Sequence, residues 1–420
     1  MAAFVGVLTL RAGLRRSAAD LGHVDVFHPC VFPVVYLHIS FLFPTWLLLI
    51  NGEPLLGFTR ADLSPDTSLL VAVSLVTYDL GSLLALGRGA SSRPSEHPTA
   101  PGFLLVVGRA LTLLLIAQSV FTWIHGGAGT RGLAQTSFTT ADSLSAFALV
   151  FAPAATLLLA WGGRGVDHHG SPRLLPSDLV LLSALLVMTS VNGARGSSLV
   201  IVLTVLLVYS HHLAKRWVIP VALLLVLVGA VVISAYRSGA AVGTVSQSPA
   251  HRIADDWSVA TYSIGATAQA VPSQRDFEWG RTYLVSAVRQ VPSPISNRLL
   301  GPPTDSASYI FRDLIHFNNP DQGLGYTLPA EGYLNFGWAG LIAVSLLYGA
   351  AVSYSHRWFR VGNRSLNCLY LIVVATLPLS VRSDALGAVK AVLYPYLLIG
   401  GVLAVARSVE GRRAYHGEGQ

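Results

Sequence analysis

About ten apolar runs recur along this 420-residue chain, at 31–50, 67–87, 102–124, 141–161, 176–192, 197–212, 217–236, 336–354, 366–381 and 388–406. A helix that crosses the hydrocarbon core of a bilayer needs roughly 20 apolar residues, and in lipid every backbone polar group must be satisfied inside the segment. Runs of this length and number predict an all-α polytopic integral membrane protein with about ten transmembrane helices. Composition agrees: 52% of the residues are hydrophobic and only 12% are charged.

The net charge of +7 does not point to nucleic acid, because the arginines fall in short clusters between apolar runs. Arg11, Arg15 and Arg16, then Arg88 and Arg93, Arg164 and Arg173, Lys215 and Arg216, Arg357, Arg360 and Arg364, and finally Arg407, Arg412 and Arg413 occupy alternate connections. The intervening short connections hold Arg60, Arg131, Arg195 and Arg382, one each. The positive-inside rule then places both termini in the cytoplasm of a multi-pass protein of the cytoplasmic (inner) membrane. Residues 1–30 read as a cytoplasmic lead-in lying on the membrane surface rather than a signal peptide, since Arg11, Arg15 and Arg16 follow the apolar stretch instead of preceding it.

The same orientation puts one long connection, 237–335 between the seventh and eighth runs, outside the membrane. It is too long for a mere connector and rich in aromatics, with Trp257, Tyr262, Trp279, Tyr283, Tyr309 and Phe311. A partly helical extracytoplasmic loop covering the outer mouth of a single membrane domain, 1–420, is expected. Asp79 and Arg109 lie at similar depth in the second and third runs, which predicts an ion pair between them. Cys30 and Cys368 indicate neither a disulfide framework nor a metal cluster. His168-His169 and His211-His212 read as solvated loop residues, and Asp255-Asp256 is weak as a metal site. No cofactor and no metal is predicted.

The polar residues with chemical potential gather at one side. Glu331 and Asn335 sit where the long connection re-enters an apolar run, and a carboxylate at that boundary is expensive unless a cation or a substrate answers it. Arg195 and Arg382 occupy tight turns; Arg237, Arg281, Arg289, Arg312 and His316 come from the long connection; Asp384 follows Arg382, and Lys390 lies just inside the last run. Arginine beside lipid headgroups suits an anion with a lipid tail, because its planar fork binds phosphate oxygens in pairs. Fixed cations would stabilise a departing lipid diphosphate, and Glu331, Asp384 or His316 would take the proton of an incoming sugar hydroxyl. Blander readings stand beside these. Arg195 and Arg382 fit snorkelling helix ends, and Glu331, two residues after Pro329, fits the first turn of a helix.

Several segments resemble the bacterial O-antigen and oligosaccharide repeat-unit polymerases of the Wzy type. They are Asp25-Val26-Phe27-His28-Pro29, Asn192-Gly193-Ala194-Arg195-Gly196, the large connection after the seventh run, Pro329-Ala330-Glu331-Gly332-Tyr333-Leu334-Asn335-Phe336-Gly337 with Gly340, and Arg382-Ser383-Asp384. The glutamate-to-Asn-Phe-Gly segment is the most specific. The resemblance implies a membrane glycosyltransferase that moves a growing glycan from undecaprenyl diphosphate onto a newly arrived lipid-linked repeat unit, in O-antigen, capsule or exopolysaccharide synthesis. Its expected partners are the undecaprenyl-diphosphate-linked oligosaccharide, membrane lipid, a flippase and a chain-length regulator, with no nucleic acid. An O-antigen ligase-like glycosyltransferase, a peptidoglycan-type glycan polymerase and a non-enzymatic lipid-linked oligosaccharide transporter are the alternatives.

Overall fold

A computed structural model describes residues 2–21, 27–51, 64–86, 101–126, 150–163, 174–191, 195–210, 249–291, 295–296, 298, 301, 305–315, 325–360 and 364–417. Among them are thirteen helices and no strand. In chain order they are α1 (Ala2–Leu21), α2 (Phe32–Asn51), α3 (Pro65–Ala85), α4 (Pro101–Gly126), α5 (Ala152–Gly162), α6 (Pro176–Val191), α7 (Arg195–Ser210), α8 (Pro249–Ala270), α9 (Arg281–Val288), α10 (Ala307–Leu314), α11 (Leu328–Arg360), α12 (Arg364–Ser380) and α13 (Ala385–Gly417). Nine of the ten apolar runs contain one of these helices, and the tenth, 217–236, lies outside the described residues. Among the described residues, four stretches are long and apolar enough to cross a membrane: Pro65–Ala85, Pro101–Ile124, Leu328–Arg357 and Ala385–Glu410. The shorter apolar helices include Ala152–Gly162, which occupies only the second half of the run expected at 141–161. The protein is an integral membrane protein by its apolar helices.

The chain divides into two compact units. The first comprises Met1–Gly89, Val245–Arg357 and Leu377–Lys390. Its α3 starts where the sequence says it should, with Ser64 accepting from the Thr67 backbone N–H at 3.0 Å and Pro65 in the first turn. Helices α3 and α11 meet along a seam of small residues. Ser74 bonds Ser345 at 3.1 Å, and two turns on Ser82 bonds Ser353 at 2.7 Å. Between them Gly81 and Gly349 let the backbones touch, since a Cβ at either would fall 2.0 or 2.1 Å from a carbonyl oxygen of the opposite helix. Lipid gives apolar side chains no reason to prefer one another, so close backbone approach and interhelical hydroxyl bonds hold such a pair together.

Within the long connection the described residues form α8, α9, α10 and the first turns of α11. Helix α8, at 22 residues, is longer than a loop helix need be and packs on α2 and α3. Ala254 lies against Leu47 and Leu48, while Thr261 donates to the Phe41 carbonyl at 3.0 Å, so α8 runs antiparallel to α2. Part of the connection therefore belongs to the helical bundle. The lead-in at 1–30 likewise contains a full helix, α1, packed on α2 and α3, with Gly6 against the His38 ring.

The second unit comprises Ala90–Thr244, Trp358–Thr376 and Ala391–Gln420. Its centre is α5, every residue of which is buried, packed on α4 with Gly108 and Gly162 at the closest approach. Here the expected Asp79–Arg109 pair is corrected. Arg109 Nε donates to Asp178 Oδ1 at 2.8 Å and its Nη2 to Ser177 Oγ at 2.9 Å, whereas Asp79 faces His38 Nε2 at 3.4 Å in the first unit. Matched depth fixes a level in the bilayer but says nothing about which neighbour a helix turns toward. Cys30 and Cys368 are buried thiols with no disulfide.

Candidate functional site

The organising feature is a break in α11. The sequence predicts a helix from 336 onward, entered from a polar loop. The chain is already helical from Leu328, leaves helical geometry at Phe336 (φ −141°, ψ 19°) and Gly337 (φ 60°, ψ −142°), and then continues to Arg360. A positive φ with that ψ is open to glycine alone. The short first segment thus ends at Asn335, and its terminal carbonyls are satisfied from outside: Leu334 accepts from the Glu278 N–H at 3.1 Å and Asn335 from the Trp279 N–H at 3.2 Å. The two segments pass in backbone contact at Gly332 and Gly340, where an added Cβ would lie 2.5 and 2.0 Å from the other residue's carbonyl oxygen. The three glycines of the Gly332–Gly340 stretch therefore serve one purpose, the sharp reversal that aims Glu331 inward.

Glu331 is fully buried. Its Oε1 accepts from the Thr282 hydroxyl at 2.7 Å and its Oε2 from the Ala385 N–H, the first residue of α13, at 2.6 Å. Thr282 in turn accepts from Asn335 Nδ2 at 2.7 Å; that amide also donates to the Glu331 carbonyl at 2.8 Å, and Asn335 Oδ1 accepts from the Gly280 N–H at 2.8 Å. Asp384 caps the same end of α13, with Oδ1 accepting from the Gly387 N–H at 3.0 Å and Oδ2 from the Ser308 hydroxyl at 2.9 Å and its N–H at 3.3 Å. Two carboxylates at one helix N-terminus find there the partial positive charge of unpaired N–H groups. Burial pushes the phenols of Tyr283 and Tyr326 up, and the negative charge of Glu331 pushes them further, so both remain neutral donors near the acid.

The expected cations divide. Arg289 is buried, with both terminal nitrogens 3.2 Å from the Gly301 carbonyl, and Lys390 is half-buried with Asp384 and Arg289 as its charged neighbours. Arg382 is exposed in the turn before α13, beside Gly325. Arg281 and Arg312 hold carboxylates of their own, Asp305 at 3.2 Å and Asp313 at 2.6 Å, and Arg312 also lies 4.9 Å from the centre of the Tyr309 ring. Arg237 and His316 lie outside the described residues, as do the side chains of Arg195, Asp255 and Asp256. The structure thus brings together Glu331, Asn335 and Asp384, with Arg289 and Lys390 in electrostatic range of Asp384's end of the cluster. Thr282, Tyr283 and Ser308 join them unforeseen. One signal for Thr282 was available: with Ser286 and Arg289 it forms a polar i, i+4, i+7 stripe on a helix.

A chain of apolar helices that buries one acid at a broken helix and a second, with a lysine beside it, at the helix end it meets belongs to the membrane proteins that handle polar groups next to lipid. Residues 135–409 match the family described as O-antigen polysaccharide polymerase Wzy. The match spans more than half of the chain, and the protein belongs to that family, whose name describes a polysaccharide polymerase. The broken helix, Arg195, Arg289 and Arg382-Ser383-Asp384 all fall within the matched region, while Asp25-Val26-Phe27-His28-Pro29 precedes it. No curated protein and no solved structure matches the chain.

Proposed function

We propose that the protein lengthens a glycan at the outer face of the cytoplasmic membrane by moving a growing oligosaccharide from undecaprenyl diphosphate onto a lipid-linked repeat unit. The observation that carries this reading is the clamped, fully buried Glu331, held by Thr282 and the α13 N-terminus beside Asp384, which has Lys390 as a charged neighbour. In the proposed step the acceptor sugar's hydroxyl oxygen forms a bond to the anomeric carbon of the donor. The bond from that carbon to the diphosphate oxygen breaks, and its electron pair leaves with the diphosphate. Glu331 takes the hydroxyl proton; a carboxylate has about four lone-pair positions, so two accepted hydrogen bonds leave room for a third. Arg289, Lys390 and Arg382 supply positive charge where the diphosphate's negative charge grows. Asp384 competes for the role of base, and its commitment to capping α13 ranks it second. A flippase supplying repeat units and a chain-length regulator are the protein partners this reading implies.

The test is reconstitution. Purified protein in nanodiscs, given a synthetic undecaprenyl-diphosphate oligosaccharide and no second enzyme, should produce lipid-linked glycans of two or more repeat units and release undecaprenyl diphosphate. Transfer only to a lipid A core acceptor would favour the ligase instead, and movement of the lipid across the bilayer without elongation would favour a transporter.

A further inference from the structure

Helix α9 has its polarity reversed. Thr282, Ser286 and Arg289, at i, i+4 and i+7, face inward and are 0%, 3% and 4% exposed. Leu284 and Val288 face outward at 71% and 55%, and beyond the helix end Val291 and Ile295 continue the outward apolar stripe at 40% and 52%. A surface helix in water turns its apolar side inward. Leu284 and Val288, four residues apart, share one face of α9 opposite Thr282, Ser286 and Arg289, so the reversal is a property of the sequence.

What meets this face follows from what it joins. Trp279, 73% exposed, stands in the turn that leads into α9 and packs edge-on against Phe336, with ring centres 6.3 Å apart. Phe336 marks the break in α11, and past it Trp338, Ile342 and Leu347 are exposed along a helix apolar enough to cross the bilayer. The outward face of α9 is therefore continuous with the lipid-facing side of α11. Tryptophan at such a junction is the usual anchor at the level of the headgroups. The one charged residue of α9, Arg281, is its first, and it pairs with the exposed Asp305.

We propose that α9 is a membrane-contact helix, lying in one leaflet with Leu284, Val288, Val291 and Ile295 against lipid acyl chains and its polar stripe turned to Glu331. The roof over Glu331 is then set at the depth of the lipid itself, not in the aqueous layer above it. A substrate on a lipid tail would reach the acid without leaving the leaflet. This inference stands whether or not the polymerase reading does, because its test reads position and not activity.

Leu284→Cys, Val288→Cys and, as a water-exposed reference, Gln274→Cys are each labelled with a nitroxide in nanodiscs of phosphatidylethanolamine and phosphatidylglycerol; the buried Cys30 and Cys368 of the unmodified protein give the labelling blank. The ratio of collisions with oxygen, which partitions into lipid, to collisions with a water-soluble nickel chelate is expected to be several-fold higher at 284 and 288 than at 274. A ratio at 284 and 288 equal to that at 274 overturns the proposal. Protection from both reagents overturns it too, since a second copy or another protein would then cover the face. If either cysteine variant fails to fold, the difference in emission between the wild type and Trp279→Phe reads the same junction. Lipids brominated along their acyl chains should quench that difference, and its survival counts against the proposal.

Discussion

Thr282 donates a hydrogen bond from its hydroxyl to Glu331 at 2.7 Å while accepting one from the Asn335 amide at the same distance. The direction is fixed by the amide, whose oxygen is held by the Gly280 N–H and whose nitrogen also donates to the Glu331 carbonyl. A hydroxyl has one proton; with Asn335 donating to its oxygen, that proton is free to point at the carboxylate. This relay ties α9 to the middle and the end of the short segment of α11, at Glu331 and Asn335.

Replacing Thr282 by valine keeps the shape and deletes the relay. Asn335 and Glu331 would each lose a partner in a buried setting, at a cost of about 1–3 kcal/mol. Thr282→Val should lower the unfolding temperature of the purified protein and its rate of glycan elongation, and Thr282→Ser should restore most of both. Equal stability and activity of the valine and serine variants would remove Thr282 from the site.

The crossing at Gly332 and Gly340 predicts a steric failure. A methyl group at either position meets backbone at 2.5 or 2.0 Å, and backbone cannot swing aside as a flexible side chain can. Gly332→Ala or Gly340→Ala should cost at least about 1–3 kcal/mol by overpacking and reduce the monodisperse protein recovered in detergent. Gly400→Ala is the control, with nothing within 4 Å of the added group, and should leave recovery unchanged.

How much of this was legible in the sequence differs from residue to residue. Runs of apolar residues announce helices because the bilayer demands them, so α2, α3, α4, α6, α7, α11, α12 and α13 fall near their predicted places. Glu331 and Asn335 stood out because polar groups at the start of an apolar run are costly. Thr282 did not, since a lone threonine between arginine and tyrosine is unremarkable until its helical stripe is compared with the apolar stripe opposite. The early start of α11 showed only in the Pro329–Glu331 first-turn arrangement, because Leu328 to Asn335 is too short to show a period and the later glycines read as loop. Packing partners were the least legible. Arg109 turned to Asp178, which lies in the first turn of α6, where a carboxylate already satisfies the helix end.

That pairing is testable by itself. Asp178 is buried and the Arg109 side chain is 37% exposed, so water screens part of the attraction. A double-mutant cycle with Arg109→Gln and Asp178→Asn should return a coupling of roughly 0.5–3 kcal/mol in thermal or denaturant unfolding. The same cycle between Arg109 and Asp79 should return none. Coupling at 79 and not at 178 would reinstate the pair expected from matched depth.

Glu331→Gln separates chemistry from architecture. The glutamine amide can place its oxygen on the Ala385 N–H and its nitrogen on the Thr282 oxygen, which has a lone pair beyond the one that Asn335 occupies. The three-helix junction should then hold, with protein accumulating normally and undecaprenyl-diphosphate lipid still bound. If Glu331 is the base, elongation should slow by about 10²–10⁴-fold. Glu331→Ala should lose protein as well as activity, because it strips a partner from Thr282 and from the first N–H of α13. Asp384→Asn supplies the comparison: asparagine caps a helix about as well as aspartate, and its amide oxygen can keep the Gly387 N–H. Its elongation rate should fall far less than that of Glu331→Gln, and a larger fall at Asp384 would move the base from the broken helix to the cap of α13.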